Sequence, residues 1–116
     1  MSKITLVSLG VSDLAKSVAF YREKAGFELQ GQMEQFAFFS AGAITLMLNA
    51  PLGRRGGPLA GAMELVVAAE SVTRRYQELN DLGCTFITEP RQVNGDSWAA
   101  TFTDPDGHML TVFGPK

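Results

Sequence analysis

Ile4-Thr-Leu-Val-Ser-Leu-Gly-Val-Ser-Asp-Leu-Ala-Lys-Ser-Val-Ala-Phe-Tyr21 changes its hydrophobic period half-way along. Its first part, to Val11, is apolar and β-branched and reads as a strand. Ser12 and Asp13 stop that strand, and either can accept hydrogen bonds from the free N–H groups at the start of a helix. Leu14, Val18 and Tyr21 then recur at helical spacing, which predicts a helix over about 14–24 with Ala25 extending its apolar face. Gly26 is a fitting C-terminal stop. Strands are predicted next at 27–30, 36–39 and, after a turn at Gly42, 43–48. The order is β-α-β-β-β.

The same order returns further along. Met63–Ala69 reads as a strand, Ser71 caps a helix over 72–82, and Gly83 ends it. Strands follow at 85–88, ended by Pro90, at 97–103, and at 109–113 after the turn Asp104-Pro-Asp-Gly107. Leu6–Val11 matches Glu64–Ala69 at an offset of 58, and Ile44–Leu46 matches Leu110–Val112 at an offset of 66. Between the copies, Ala50–Gly61 is dense in glycine and proline and reads as a linker or mobile loop. The chain is thus expected to be one α+β domain with module one at 1–50, a linker at 51–61 and module two at 62–116. A single helix covers one face of a sheet, so the other face must meet a second module, a second chain or a ligand.

Composition narrows the function classes. The chain has 116 residues, 46% hydrophobic and 19% charged, with a formal net charge of −2, which is ordinary globular composition. There is no basic stripe to suggest a nucleic-acid partner and no apolar run long enough to suggest a bilayer span. Met1-Ser-Lys3 leads straight into strand-like sequence without a signal-peptide core. Cys84 is the single cysteine and reads as a buried structural thiol, so a reducing cytoplasm is the expected location. One His and one such Cys do not make a nucleophilic triad. Gly53-Arg-Arg-Gly-Gly57 lacks the Lys-Ser/Thr of a P-loop.

Three segments carry a family resemblance: Gly10-Val-Ser-Asp-Leu-Ala-Lys-Ser-Val-Ala-Phe-Tyr21, Gly26-Phe27, and Phe102-Thr-Asp-Pro-Asp-Gly107. With the repeat, they make the whole chain resemble the vicinal oxygen chelate superfamily of glyoxalases, bleomycin-resistance proteins and type I extradiol dioxygenases. The resemblance implies two βαβββ modules whose mixed sheets curl around a central cavity, and a homodimer. It also implies that metal-dependent members hold a divalent ion with four side chains from the first and last strands of each module. Counted from the motifs, those positions fall here on Leu6, Thr45, Glu64 and Thr111. Leu cannot coordinate, a neutral Thr hydroxyl is a poor ligand, and one carboxylate holds a divalent ion weakly. His108 lies an odd number of residues from Thr111, hence on the opposite face. No metal and no other cofactor is therefore predicted, against the usual chemistry of the family.

Strand parity supplies an alternative lining for the concave face. It comprises Leu6, Ser8, Thr45, Met47 and Asn49 from module one, and Glu64, Val66, Thr111 and Phe113 from module two. Trp98, whose face the pattern leaves open, joins them as an aromatic able to stack on a planar ligand. Apolar walls with few polar anchors suit a small organic molecule. Glu64 is expected to be partly desolvated, which favours its neutral form, and to anchor a ligand or act as a general acid or base. The alternative for Glu64 is an ion pair with Arg54 or Arg91. Phe36, Phe38 and Phe39 are read mainly as core, and Arg54 and Arg55 mainly as a solvated loop.

The leading expectation is a metal-independent protein that binds, and in that way sequesters, a small organic molecule. The alternative is an enzyme of the same superfamily, a metal-free or metal-dependent lyase, isomerase or dioxygenase using Glu64. A structural dimer without a pocket is the plainest reading.

Overall fold

Asp13 and Ser71 begin two helices in the same way. Both have extended backbone, and their side chains accept the N–H of Lys16 at 3.1 Å and of Arg74 at 3.2 Å. Helix α1 spans Leu14–Ala19 and continues as a π-helical stretch, Phe20–Lys24, in which the Ala25 N–H reaches back five residues to the Phe20 carbonyl at 3.0 Å. Gly26 (φ 82°) ends it, as Gly83 (φ 87°) ends the helix that follows Ser71. Both take the left-handed backbone that glycine adopts without a Cβ clash.

The computed structural model describes residues 4–55 and 63–116, with only the backbone at Arg55. The chain divides into two compact units, Met1–Pro58 and Leu59–Lys116. The first holds strands β1 (Leu6–Gly10), β2 (Glu28–Gln32), β3 (Phe36–Ala41) and β4 (Ile44–Asn49), with α1 and a short helix α2 (Ala50–Arg55). The second holds β5 (Glu64–Ala68), α3 (Val72–Asp81), β6 (Thr85–Asn94), β7 (Ser97–Thr103) and β8 (Met109–Pro115). The sheet orders are β1-β4-β3-β2 and β5-β8-β7-β6, the same arrangement twice. In each, the first strand lies parallel to the last and the other pairs are antiparallel. The two βαβββ modules with mixed sheets are the α+β fold expected from the repeat.

Alternation divides each sheet into a core face and an open face. In module one Leu9, Leu46, Leu48, Ala37 and Phe39 are buried, with the fully buried Tyr21 ring 6.2 Å from that of Phe39. In module two Leu110, Val112, Ala100 and Phe102 are buried, and α3 contributes Val72 and Leu79. Tyr76 meets Phe86 edge-on at 4.6 Å, and Phe86 lies 5.2 Å from Phe102. Cys84 is buried, as expected of a structural thiol.

Three details differ from the sequence reading. Ala50–Arg55, expected as irregular linker, is helical: Asn49 Oδ1 accepts the Leu52 N–H at 2.9 Å, capping a helix with Pro51 in its first turn. The remainder of that expected linker, 56–61, lies outside the described residues. Strand β6 does not stop at Pro90 but runs on to Asn94, with its register shifting between Thr88 and Arg91. A proline is tolerated there because β6 is an edge strand and the shift relieves Pro90 of any ladder donor. The repeat is also displaced at the last strands. Leu6 pairs with Thr45 whereas Glu64 pairs with Met109, so β4 and β8 correspond at an offset of 64 rather than 66. The Val11 N–H to Asn49 carbonyl bond and the Ala69 N–H to Phe113 carbonyl bond show the same correspondence. An even displacement leaves every side chain on its expected face.

Candidate functional site

The open face of module two carries a cavity of about 340 Å³. Its walls are Val66, Val93, Ala99 and Phe113, and its polar groups are Glu64, Arg91, Thr101 and Thr111. All four strands contribute. Register explains why they meet: Val66 pairs with Thr111, Thr111 with Thr101, Phe113 with Ala99, and Ala99 with Arg91.

A chain of hydroxyls runs across the floor. The Thr111 hydroxyl donates to Glu64 Oε2 at 2.7 Å and lies 2.8 Å from the Thr101 hydroxyl. Thr111 has one hydroxyl hydrogen and spends it on the carboxylate, so Thr101 must be the donor in the second bond. Both threonines are buried, at 5% and 6% exposure. Their bonds to each other and to Glu64 satisfy groups that would otherwise cost about 1–3 kcal/mol each. Glu64 itself is exposed. The expected desolvation is therefore not present, because Glu64 starts an edge strand and reaches inward only by its side chain.

Module one offers a different open face. Leu6, Ser8, Thr45, Met47 and Asn49 do share it, joined by Phe36 and Phe38 through the pairs Phe36–Asn49 and Phe38–Met47. Two of its polar side chains, Ser8 and Asn49, are occupied, however. The Asn49 side-chain amide donates to Ser8 Oγ at 3.1 Å, while its oxygen caps α2. Phe39 is core. The Arg54 guanidinium is hydrogen-bonded to Gln35.

Trp98 is not brought into the cavity. It alternates with Ala99 and Thr101, which line the cavity, and therefore shares the parity of Ala100 and Phe102. The Lys116 ammonium stands 4.9 Å from its ring centre, and the Lys116 carbonyl accepts the Ser71 hydroxyl at 2.8 Å. His108 belongs to the turn: its backbone N–H donates to Asp104 Oδ1 at 2.8 Å. Sequence reasoning missed Thr101, Arg91, Val93 and Ala99 as cavity residues. The parity of Thr101 and Ala99 against the apolar Phe102 was a usable signal. Arg91 and Val93 had none, since the register shift in β6 breaks alternation just before them.

Comparison with known proteins places this geometry. The family model described as "Glyoxalase/Bleomycin resistance protein/Dioxygenase superfamily" matches residues 3–112. The chain belongs to that superfamily. It is 30% identical over 116 residues to the glutathione transferase FosA of Serratia marcescens, covering 97% of this chain and 80% of the relative. A glyoxalase/bleomycin resistance protein/dioxygenase from Nocardioides matches with a TM-score of 0.84 and 25% identity, over 99% of this chain and 84% of the other. TnmS3, an antibiotic binding protein from Streptomyces sp. CB03234, shares the fold with a TM-score of 0.83 at 23% identity, over 100% and 98% of the two chains.

The superfamily's metal chemistry can be tested against the residues present. Of Leu6, Thr45, Glu64 and Thr111, only Glu64 is a strong ligand for a hard cation. Thr111 is the register partner of Val66, and its counterpart in module one is Met47, not Thr45, given Leu6–Thr45 beside Glu64–Met109. Neither a thioether nor a Thr hydroxyl committed to a carboxylate replaces a histidine or a second acid. Among the described residues no three of His, Cys, Asp or Glu cluster as a metal site. The donor set does not fit a divalent ion.

Proposed function

We propose that this protein binds a small organic molecule without a metal, on the open face of module two, and acts by holding it. The observation that carries the reading is the union of apolar walls with a carboxylate oriented by two buried hydroxyls. Such a site supplies shape and a few fixed polar contacts, which is what small-molecule recognition requires. The fold is compatible with that role, since TnmS3 is an antibiotic binding protein. The donor set argues for metal independence. Leu6, Ser8, Thr45, Met47 and Asn49 are proposed as further contacts, secondary to Glu64, Val66, Thr111 and Phe113. Trp98 is withdrawn from the lining on its parity. We take the working form to be a cytoplasmic homodimer, a state that sedimentation at micromolar concentration checks.

The deciding test is elemental analysis of protein purified without chelator, followed by thermal titration with zinc, nickel and manganese. A native-state ligand raises apparent stability by mass action. The expected result is far less than one ion per chain and no saturable shift. One tightly held ion per chain overturns the metal-free reading.

A second reading has specific support. The Thr101–Thr111–Glu64 chain orients the carboxylate as a general acid or base would need, and FosA is a transferase. Glu64→Gln separates the two readings. Retained binding with lost turnover indicates an enzyme, whereas turnover in neither form indicates a binder.

A further inference from the structure

The cavity contains one acid and one base, and they do not neutralise each other. Glu64 opens β5, one edge of the sheet, and Arg91 lies on β6, the opposite edge. Glu64 leans over β8 to meet Thr111. That leaves two strand spacings, about 10 Å, between its carboxylate and the Arg91 backbone. The two residues also stand on different rows, because Arg91 is aligned with Ala99 and Phe113 whereas Thr111 is aligned with Thr101. Among the described residues the Arg91 guanidinium has no hydrogen-bond or ion-pair partner, and Glu64 Oε1 has none either. Between the two charges the surface is apolar: Val66 is 59% exposed and Phe113 is 40% exposed.

We propose that the molecule held here is dipolar, with a cationic donor at the Glu64 corner, an anionic group at the Arg91 corner, and an apolar body across Val66 and Phe113. The assignment rests on the reading of this cavity as the binding site. Its physical basis is complementarity. An unpartnered guanidinium selects a carboxylate or similar anion with its planar fork of donors. A carboxylate whose other oxygen already accepts a hydroxyl retains acceptor capacity for an ammonium or amidinium. A purely apolar molecule would leave both charges unpaired, and a molecule of one charge would leave one.

The test is an amide NMR titration with four molecules of one shape. They are para-(aminomethyl)benzoate, para-methylbenzylamine, para-methylbenzoate and para-methylbenzyl alcohol. The dipolar compound is expected to bind about threefold to fivefold tighter than either singly charged one, in line with single exposed ion pairs. That advantage shrinks as salt is added. Glu64→Gln is expected to abolish its advantage over para-methylbenzoate, and Arg91→Gln its advantage over para-methylbenzylamine. If a singly charged or neutral compound matches it while the Val66 and Phe113 amides shift, the dipolar assignment is overturned and the cavity reading survives. If none of the four moves those amides, the cavity reading fails as well. Both substituted positions are exposed, and the wild-type ranking decides the question even if a variant folds poorly.

Discussion

The two modules repeat one backbone and put different chemistry on it. In module one the last residue of β4, Asn49, turns its amide inward to hold Ser8 and to cap α2. Its register counterpart in module two is Phe113, which lines the cavity. Leu6 likewise corresponds to Glu64. A polar group on module one's open face thus stabilises structure, while module two's open face presents a carboxylate, a guanidinium and apolar walls. The sheet order is the same in both halves, and the residues at a few inward positions differ between them.

The largest expected effect tests whether the modules are equivalent as scaffolds. Leu48 and Leu110 are both fully buried. Leu48→Ala and Leu110→Ala should each cost about 2–5 kcal/mol in urea unfolding, the range for truncating a core leucine. A loss confined to one module breaks the equivalence.

Close backbone approaches come next. A Cβ at Gly53 would fall 2.2 Å from the Val11 carbonyl oxygen, and one at Gly114 would fall 2.1 Å from that of Ala69. Val11 and Ala69 are repeat counterparts, so each module has packed a glycine against the end of its first strand. Gly53→Ala and Gly114→Ala should each lower stability by about 1–3 kcal/mol, as overpacking does. Thermal unfolding measures both.

The pair Asn49 and Phe113 sharpens the contrast. Asn49→Ala should cost about 1 kcal/mol of stability, the usual loss of a helix cap, with a smaller loss of ligand affinity than a substitution in module two's cavity. Phe113→Ala should show the reverse, a clear loss of affinity for the para-substituted probes with stability nearly unchanged. Parallel calorimetry and titration of the two variants decide it, and an equal loss of binding from both would make Asn49 more than a secondary contact.

The smallest effect is expected from Glu64→Gln. The amide oxygen can still accept the Thr111 hydroxyl, so stability should stay within about 0.5 kcal/mol of the parent. A larger drop would mean that Glu64 is there to hold β5 to β8 rather than to meet a ligand.

The β-α-β-β-β order, both helix caps, the duplicated sheet and the superfamily were legible in the 116 residues. Capping, alternation and glycine stops act within a few residues, and Asp13, Ser71, Gly26 and Gly83 carry those signals locally. Face assignments for β1, β4, β5 and β8 were legible for the same reason, because side-chain period is a property of the strand itself. What only the tertiary structure decided is which strands lie side by side and in what register. That choice set β8 two residues from its expected correspondence with β4 and carried β6 past Pro90. It also turned Trp98 away from the cavity, brought Arg91 into it, and drew Thr101 and Thr111 into line with Glu64. Hydrogen-bond ladders between strands distant in sequence make those decisions, and no local pattern of residues encodes where one strand will come to rest against another.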